Sequence, residues 1–164
     1  MPNWCENTLR IVPETEEARA LLPRIIELFS QGECPELSAF QFICPMPPEL
    51  EGTSAPSDSP NWYNWRVSNW GTKWEECNPC VSQSGEDILL VSFQTAWSPP
   101  IGVYLKLVEL GFDVLATYAE QGIGYAGVWQ NGEDSEFSLA GLIEPDENDE
   151  YPEDGDVKIG RAHV

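Results

Sequence analysis

A tryptophan-rich segment is the feature that most limits how this chain can fold. Residues 62–74 hold four of the seven tryptophans, together with polar side chains that include Arg66 and Lys73. An indole has a large apolar surface and a single N–H donor, so a folded chain either buries it against a core or presents it to a partner. The segment therefore predicts either an insertion packed on the domain or a recognition surface.

The charge of the chain limits the classes of partner it can bind. The 164 residues include 28 acids and 8 bases, which gives a formal net charge of −20. Residues 133–156 contain eleven acids and no base, and residues 1–132 still contain 17 acids against 6 bases, a charge of −11. Binding to nucleic acid or to an anionic membrane needs lysine and arginine, so both are disfavoured. A protein partner with a basic surface fits better, although solubility alone also explains an excess of acids.

The N-terminal residues and the cysteines indicate a reducing compartment. Residues 1–10 lack the basic start and apolar run of a secretory signal, and no segment approaches the ~20 apolar residues that cross a bilayer. The five cysteines are an odd number in a chain without an export signal, which favours reduced thiols. We therefore expect a cytoplasmic protein.

In the first half of the chain, apolar periodicity predicts a strand, a helix and a second strand. Residues 5–12 alternate between apolar and polar side chains, and residues 15–30 have the spacing of an amphipathic helix. Pro23 lies inside the helical pattern and is expected to kink or restart the helix, because proline has no N–H. Residues 40–44 alternate again before a run of prolines, which predicts the second strand.

The middle of the chain predicts a long insertion followed by a strand and a helix. The insertion covers about residues 46–86, and residues 87–97 then form the strongest strand pattern of the sequence. Ser98 followed by Pro99 is typical of a helix start, with serine as the N-cap and proline at the first helical position. Gly111 is expected to end that helix.

Two further strands complete the predicted fold. Residues 112–120 and 123–130 are expected to form a hairpin that turns at Gln121 and Gly122. The order of elements favours an α+β fold in which two helices cover one face of an antiparallel sheet. We expect one domain over residues 1–142, followed by an acidic flexible tail at 143–164, because the tail has too little apolar surface to form a core.

Five local strings resemble one protein family. They are Met-Pro-Asn-Trp-Cys-Glu-Asn at residues 1–7, Cys-Pro-Met-Pro-Pro-Glu-Leu at 44–50, Trp-Gly-Thr-Lys-Trp at 70–74, Phe-Gln-Thr-Ala-Trp-Ser-Pro-Pro at 93–100 and Tyr-Ala-Glu-Gln-Gly at 118–122. In order and spacing they resemble the YubB-type ferredoxin-like domain family, small proteins of phages and bacterial plasmids. The resemblance covers about residues 1–130. It implies a ferredoxin-like sheet and a bacterial host, and it supplies no catalytic residue.

Lys73 and Glu120 are the residues from which an enzyme site would be built. A lysine in an aromatic cleft can act with a glutamate as an acid–base pair. More often a lysine stem lies across indole rings with its ammonium in water, and a glutamate at a strand end is solvated. We therefore assign no catalytic residue and keep a small enzyme with Lys73, Glu120 and the tryptophan cluster as the alternative.

The same region predicts a surface for protein binding. Aromatic side chains supply much of the binding energy at protein interfaces. The leading interpretation is a non-enzymatic, acidic interaction protein of a phage or plasmid that binds a host protein. Mimicry of nucleic-acid phosphate, which would inhibit a nuclease or defence system, is one form of such binding. The predicted partner-binding residues are Trp70, Lys73, Trp74 and Trp97.

Metal and cofactor chemistry find little support in the sequence. Cys77 and Cys80 have the spacing of half a zinc site, but a closed site needs four ligands and there is no second pair. The single histidine, His163, lies in the tail. There is also no glycine-rich phosphate loop and no Ser-His-Asp set. We expect no cofactor and no metal, with Cys77 and Cys80 as weak candidates for a metal site.

Overall fold

Alternating burial along the strands builds one antiparallel sheet. The protein is described here by a computed structural model that covers residues 3–31, 37–54 and 60–138, and the predicted tail at 143–164 lies outside these residues. The sheet has six strands in the order β2-β3-β1-β4-β5-β6, and every neighbouring pair is antiparallel. The elements are β1 (Trp4–Pro13), α1 (Glu16–Phe29), α2 (Ala39–Ile43), a 3₁₀ turn (Pro48–Leu50), α3 (Trp62–Asn69), β2 (Cys77–Ser84), β3 (Leu89–Ala96), α4 (Ile101–Glu109), β4 (Phe112–Glu120), β5 (Tyr125–Gln130) and β6 (Glu133–Ser138).

The helices α1 and α4 pack on the same face of the sheet. Phe29 of α1 stacks on Phe93 of β3 with ring centroids 5.6 Å apart. Phe93 is the cross-strand partner of Asn7, and the hydroxyl of Tyr104 in α4 donates to the Asn7 side chain. Helix α2 contacts both α1 and α4, and α3 contacts α4. The described residues thus form an α+β fold with four α-helices, and none of these helices is long and apolar enough to cross a membrane.

The segment predicted as a second strand is the helix α2, so that prediction is wrong. Two carboxylate oxygens of Glu76 accept hydrogen bonds from the backbone N–H groups of Ala39 (2.7 Å) and Phe40 (3.2 Å). The Ser38 side chain accepts a third, from the N–H of Gln41. These acceptors satisfy the free donors of a helix N-terminus. Because Glu76 is 36 or more residues away in sequence, local alternation could not reveal this cap.

The missing strand lies inside the predicted insertion. Residues 77–84 form β2, an edge strand that pairs with β3 through two irregularities in register. Five of its eight side chains are exposed, and Cys77, Pro79 and Val81 are half-buried. An edge strand buries little surface, so the apolar alternation that marks an inner strand is absent. The prediction of one uninterrupted insertion over 46–86 is therefore wrong at its C-terminal end.

In the two sheet-packing helices, the predictions of a restart at Pro23 and of an N-cap at Ser98 are wrong, and the prediction that Gly111 ends α4 is confirmed. Helix α1 continues without interruption through Pro23, so no restart occurs. Helix α4 begins at Ile101 and has no side-chain N-cap, because the Ser98 hydroxyl donates to the carbonyl of Gly71 instead. Gly111 follows the last turn with φ +103°, as a residue that ends a helix in the left-handed region must.

A hairpin that our reading of the sequence did not predict adds β6 to the sheet. Asn131 and Gly132 connect β5 to β6, and their φ angles of 49° and 106° are both positive, as a two-residue type I′ turn requires. Asparagine followed by glycine is a strong signal for this turn. The acidic, exposed residues of β6 conceal the strand, because nothing in them alternates with buried positions.

The contact between α3 and α4 can be tested at Gly102. A Cβ atom at Gly102 would lie 1.9 Å from the carbonyl oxygen of Asn69, whereas a Cβ at Gly85 would meet no atom within 4 Å. We expect Gly102→Ala to lower the free energy of unfolding by about 3 kcal/mol, since overpacking forces the backbone to move. Gly85→Ala, the matched control, should change it by less than about 0.5 kcal/mol. Urea unfolding followed by tryptophan fluorescence gives both values, and equal effects would contradict the packing described.

Candidate functional site

Trp70 belongs to the core. Its side chain is fully buried, and its indole Nε1–H donates to the carbonyl of Cys44 at 2.7 Å. The ring meets Phe40 and Trp65 edge to face, with centroids 5.7 Å and 6.0 Å away. The prediction that Trp70 contributes to an exposed binding face is therefore wrong, because the indole fills space between α2 and α3.

Arg66 holds the chain that follows Trp70 against α3. Its guanidinium lies 4.7 Å from the ring of Trp70 and 5.4 Å from that of Trp62. It donates to both carboxylate oxygens of Glu75, at 3.2 and 3.4 Å, and to the carbonyl of Lys73. A bidentate pair of this kind fixes direction as well as distance. Sequence reasoning singled out Lys73 and missed Arg66, although Arg66 is the base that lies against Trp62 of α3 and its C-cap Trp70.

Hydrogen bonds join the loop after Trp70 to the loop after β3. The Thr72 hydroxyl donates to the carbonyl of Ala96 at 2.9 Å, and the Ser98 hydroxyl donates to that of Gly71 at 2.6 Å. The N–H of Gly102 donates to the carbonyl of Trp70 at 3.0 Å. Because these bonds cross between distant segments, the two loops are held at one end of the sheet.

Trp97 is presented to solvent by a strained backbone. Its φ is +69°, a conformation that a bulky residue rarely adopts. The Trp97 N–H donates to the carbonyl of Asn3 at 2.8 Å, and the Trp97 carbonyl accepts from the hydroxyl of Tyr125 at 2.5 Å. The residue nevertheless remains 44% exposed. The surrounding bonds thus maintain a conformation that holds a large apolar side chain at the surface.

Lys73 lies between two indole rings. Its Nζ is 4.5 Å from the ring centroid of Trp74 and 4.2 Å from that of Trp97, and Trp74 in turn contacts Trp4 at 6.0 Å. We call these four residues the Lys73 surface. The structure therefore brings together three of the four predicted partner-binding residues. Lys73 forms no ion pair with residues 3–31, 37–54 and 60–138. The other five bases in these ranges each form one, and they are Arg10, Arg19, Arg24, Arg66 and Lys106.

Glu120 stabilises the turn between β4 and β5. It is fully buried, and its two carboxylate oxygens accept the N–H groups of Gly122 (2.5 Å) and Ile123 (2.9 Å). These bonds close the turn between β4 and β5. Within the described part of the chain, no hydrogen bond or ion pair joins Glu120 to Lys73, the other half of the alternative enzyme site.

A buried polar network links the core to the Lys73 surface. The Asn7 side-chain amide donates to the hydroxyl of Thr95 at 2.9 Å and accepts from the Tyr104 hydroxyl at 3.2 Å. The Thr95 hydroxyl then donates to the carbonyl of Ser98, next to Trp97. Sequence reasoning missed this network, although two polar residues at inward positions of strands β1 and β3 are a signal for it.

A cavity of about 310 Å³, wide open to solvent, lies beside the Lys73 surface. It shares the ring of Trp74 with that surface, and no periodic pattern in the sequence indicates it. The loop after the 3₁₀ turn forms one side, where Gly52 has a φ of +80°. The lining residues are Met46, Glu51, Gly52, Trp62, Arg66 and Trp74.

The two candidate metal ligands lie on the edge strand β2. Cys77 is half-buried, with its Sγ 3.7 Å from the carbonyl oxygen of Glu75, and Cys80 is exposed. No group of three or more His, Cys, Asp or Glu side chains able to hold a metal ion occurs in the portion of the chain that the structure describes. Cys34 and His163 lie outside that portion.

No protein-family model matches this chain, and no curated protein matches it. Among solved structures, it is similar to the crystal structure of protein api92 from Yersinia pseudotuberculosis, which is described with the family model DUF1281. The TM-score is 0.48 and the sequence identity 11%, and the match covers 84% of this chain and 99% of api92. At these values the similarity defines neither a site nor an activity.

Substitutions of Trp97 test the strain in its backbone. The left-handed conformation costs a non-glycine residue about 1–2 kcal/mol, and glycine does not have this cost. We expect Trp97→Gly to be more stable than Trp97→Ala by about 1 kcal/mol, the reverse of the order in ordinary loops and helices. Both variants lose the contact with Lys73, so that loss cancels in the comparison. Urea unfolding of the two proteins measures the difference, and an alanine variant as stable as the glycine variant would exclude strain at this position.

Cysteine reactivity tests the placement of the thiols. Burial raises the pKa of the Cys5 thiol to about 12, so almost no reactive thiolate forms at pH 8. Cys80 is exposed on β2. In the native protein we expect iodoacetamide to label Cys80 within minutes, and Cys5 only after unfolding in urea. Peptide mass spectrometry distinguishes the two sites, and labelling of native Cys5 as fast as Cys80 would show that β1 is not at the centre of the sheet.

Proposed function

We propose that this protein is a non-enzymatic, acidic interaction protein of a phage or plasmid, and that it binds a host protein through the Lys73 surface. The observation that supports this most is Trp97, a large apolar side chain held 44% exposed by a strained backbone. Backbone strain persists where the surrounding structure fixes it, and such positions cluster at functional sites. Half-exposed tryptophans beside a cation are also typical of residues that contribute most to binding at protein interfaces.

The charge distribution supports a partner with a basic surface. The described residues contain 17 acids and 6 bases. Five of these bases each form an ion pair with one acid, which leaves twelve of the 17 described acids without an ion-pair partner among the described residues. Such a surface attracts a basic protein over long distances and repels nucleic acid. Inhibition of a nuclease or of a defence system, by occupation of its nucleic-acid groove, is the form of binding that we propose.

The arrangement of strands supports a ferredoxin-like domain for residues 4–120. The four strands stand in the sheet in the order β4-β1-β3-β2. In the chain, α1 lies between β1 and β2, which are separated in the sheet by β3, and α4 lies between β3 and β4, which are separated by β1. This order agrees with the βαββαβ plan, and β5 and β6 extend the sheet beside β4. Together with the five sequence strings, it supports our proposal of a relationship to the YubB-type family. An enzyme at Lys73 and Glu120 has less support, because both oxygens of Glu120 close a turn.

A capture experiment with a matched control tests the proposed surface. Wild-type protein is immobilised on a resin and incubated with a lysate of the bacterial host. It should retain a basic protein, which mass spectrometry then identifies. Against that purified partner, Trp97→Gly should raise the dissociation rate by about 30-fold, which corresponds to a loss of about 2 kcal/mol at a binding hot spot. Leu105→Ala removes an apolar side chain of equal exposure (45%) on α4 and should leave the rate unchanged. Equal rates for wild type and Trp97→Gly would disprove the proposed surface.

Neutralising exposed acids should affect a different rate constant. Glu49 and Glu86 are exposed and form no ion pair with the described residues. In the variant Glu49→Gln/Glu86→Gln we expect a lower association rate at low salt and little change in dissociation, because charges outside the contact act mainly on encounter. Surface plasmon resonance at two salt concentrations measures this. An association rate that does not depend on salt in wild type would contradict the role of charge.

A further inference from the structure

We propose that the cavity beside the Lys73 surface binds an arginine side chain of the partner protein. This rests on the proposed function, and it adds the chemical identity of one contact. The cavity has a volume of about 310 Å³, which is at the lower limit for ligand pockets and suits a single long side chain. Its residues are Met46, Glu51, Gly52, Trp62, Arg66 and Trp74.

The apolar side chains of the cavity suit a guanidinium group. Indole rings of Trp62 and Trp74 and the buried thioether of Met46 contribute to the lining. A guanidinium is planar and weakly hydrated, so it stacks on aromatic faces at a lower desolvation cost than an ammonium. The protein already shows this contact once, where the guanidinium of Arg66 lies between the rings of Trp62 and Trp70.

The charges of the cavity favour a cation over an anion. Glu51 is exposed and forms no ion pair or side-chain hydrogen bond with the described residues, so its carboxylate is available. Arg66 also lines the cavity, but Glu75 matches its charge through two hydrogen bonds. An incoming arginine therefore meets one unmatched negative charge. A carboxylate or phosphate would be repelled by Glu51, and the described lining of the cavity has no unpaired base to offset that repulsion, because Arg66 is paired with Glu75.

The position of the cavity allows one partner to contact both sites. Trp74 contributes to the cavity lining and also contacts Lys73, whose ammonium reaches Trp97. A basic protein that contacts the Lys73 surface therefore also borders the cavity, because Trp74 belongs to both. The net charge of the described residues, with 17 acids against 6 bases, attracts such a surface.

Small probes test the cavity without the partner. N-acetyl-arginine methylamide is titrated into the full chain with ¹⁵N-labelled tryptophan, and the indole N–H signals are followed by NMR. We expect saturable shifts of the Trp62 and Trp74 signals, assigned with single Trp→Phe variants. N-acetyl-citrulline methylamide, which has the same shape without the charge, should bind at least about threefold more weakly. Glu51→Gln should lower the affinity for the arginine probe about threefold, and Glu49→Gln, an equal charge change outside the cavity, should not.

Several outcomes would overturn the assignment. These are the absence of a saturable shift, equal binding of the citrulline probe, equal losses in Glu51→Gln and Glu49→Gln, or preferential binding of N-acetyl-glutamate methylamide. Failure here is distinguishable from failure of the proposed function. If no arginine probe binds while Trp97→Gly still releases the captured partner faster, only the cavity assignment is wrong. If Trp97→Gly has no effect on the partner, the Lys73 surface itself is wrong, whatever the probes show.

Discussion

The candidate site depends on the hydrogen bond that the buried indole of Trp70 donates to the backbone of Cys44. An indole N–H in a core must find an acceptor, since an unpaired buried donor costs about 1–3 kcal/mol. Here the acceptor is the carbonyl of Cys44, at the end of α2. The backbone carbonyl of Trp70 accepts from Gly102 in the first turn of α4. One residue therefore joins three helices, and the path of the chain toward Lys73 and Trp74 follows from its position.

The exposed part of the site is supported by polar contacts rather than by apolar packing. Asn7, Thr95 and Tyr104 carry hydrogen bonds from the core to the backbone beside Trp97. Thr72 and Ser98 join the two loops. These bonds offset the cost of the positive φ at Trp97, which would otherwise relax. A site built in this way is fixed before any partner arrives, so less entropy is lost on binding.

The acids of this chain have two different roles. Glu75, Glu76 and Glu120 are part of the structure, because they pair with Arg66, cap α2 and close a turn. Burial raises the pKa of Glu76, although the two backbone N–H groups of α2 oppose this shift. Exposed acids such as Glu49 and Glu51 have no such partner among the described residues. A net charge therefore overstates the number of carboxylates that determine binding.

The sequence by itself determined the elements whose signals are local. Alternation marked β1, β3 and β4, and the spacing of apolar residues marked α1, because burial of one face imposes a period of two or of about 3.6 residues. Lys73, Trp74 and Trp97 were likewise predicted as partner-binding residues from their type, and the structure places them side by side. Only the tertiary structure decided that residues 39–43 form a helix where a strand was predicted, since Glu76 supplies the cap from a distant loop. It also decided which tryptophans are core and which are surface. Burial depends on what lies across the fold from a side chain, and neither composition nor spacing contains that information.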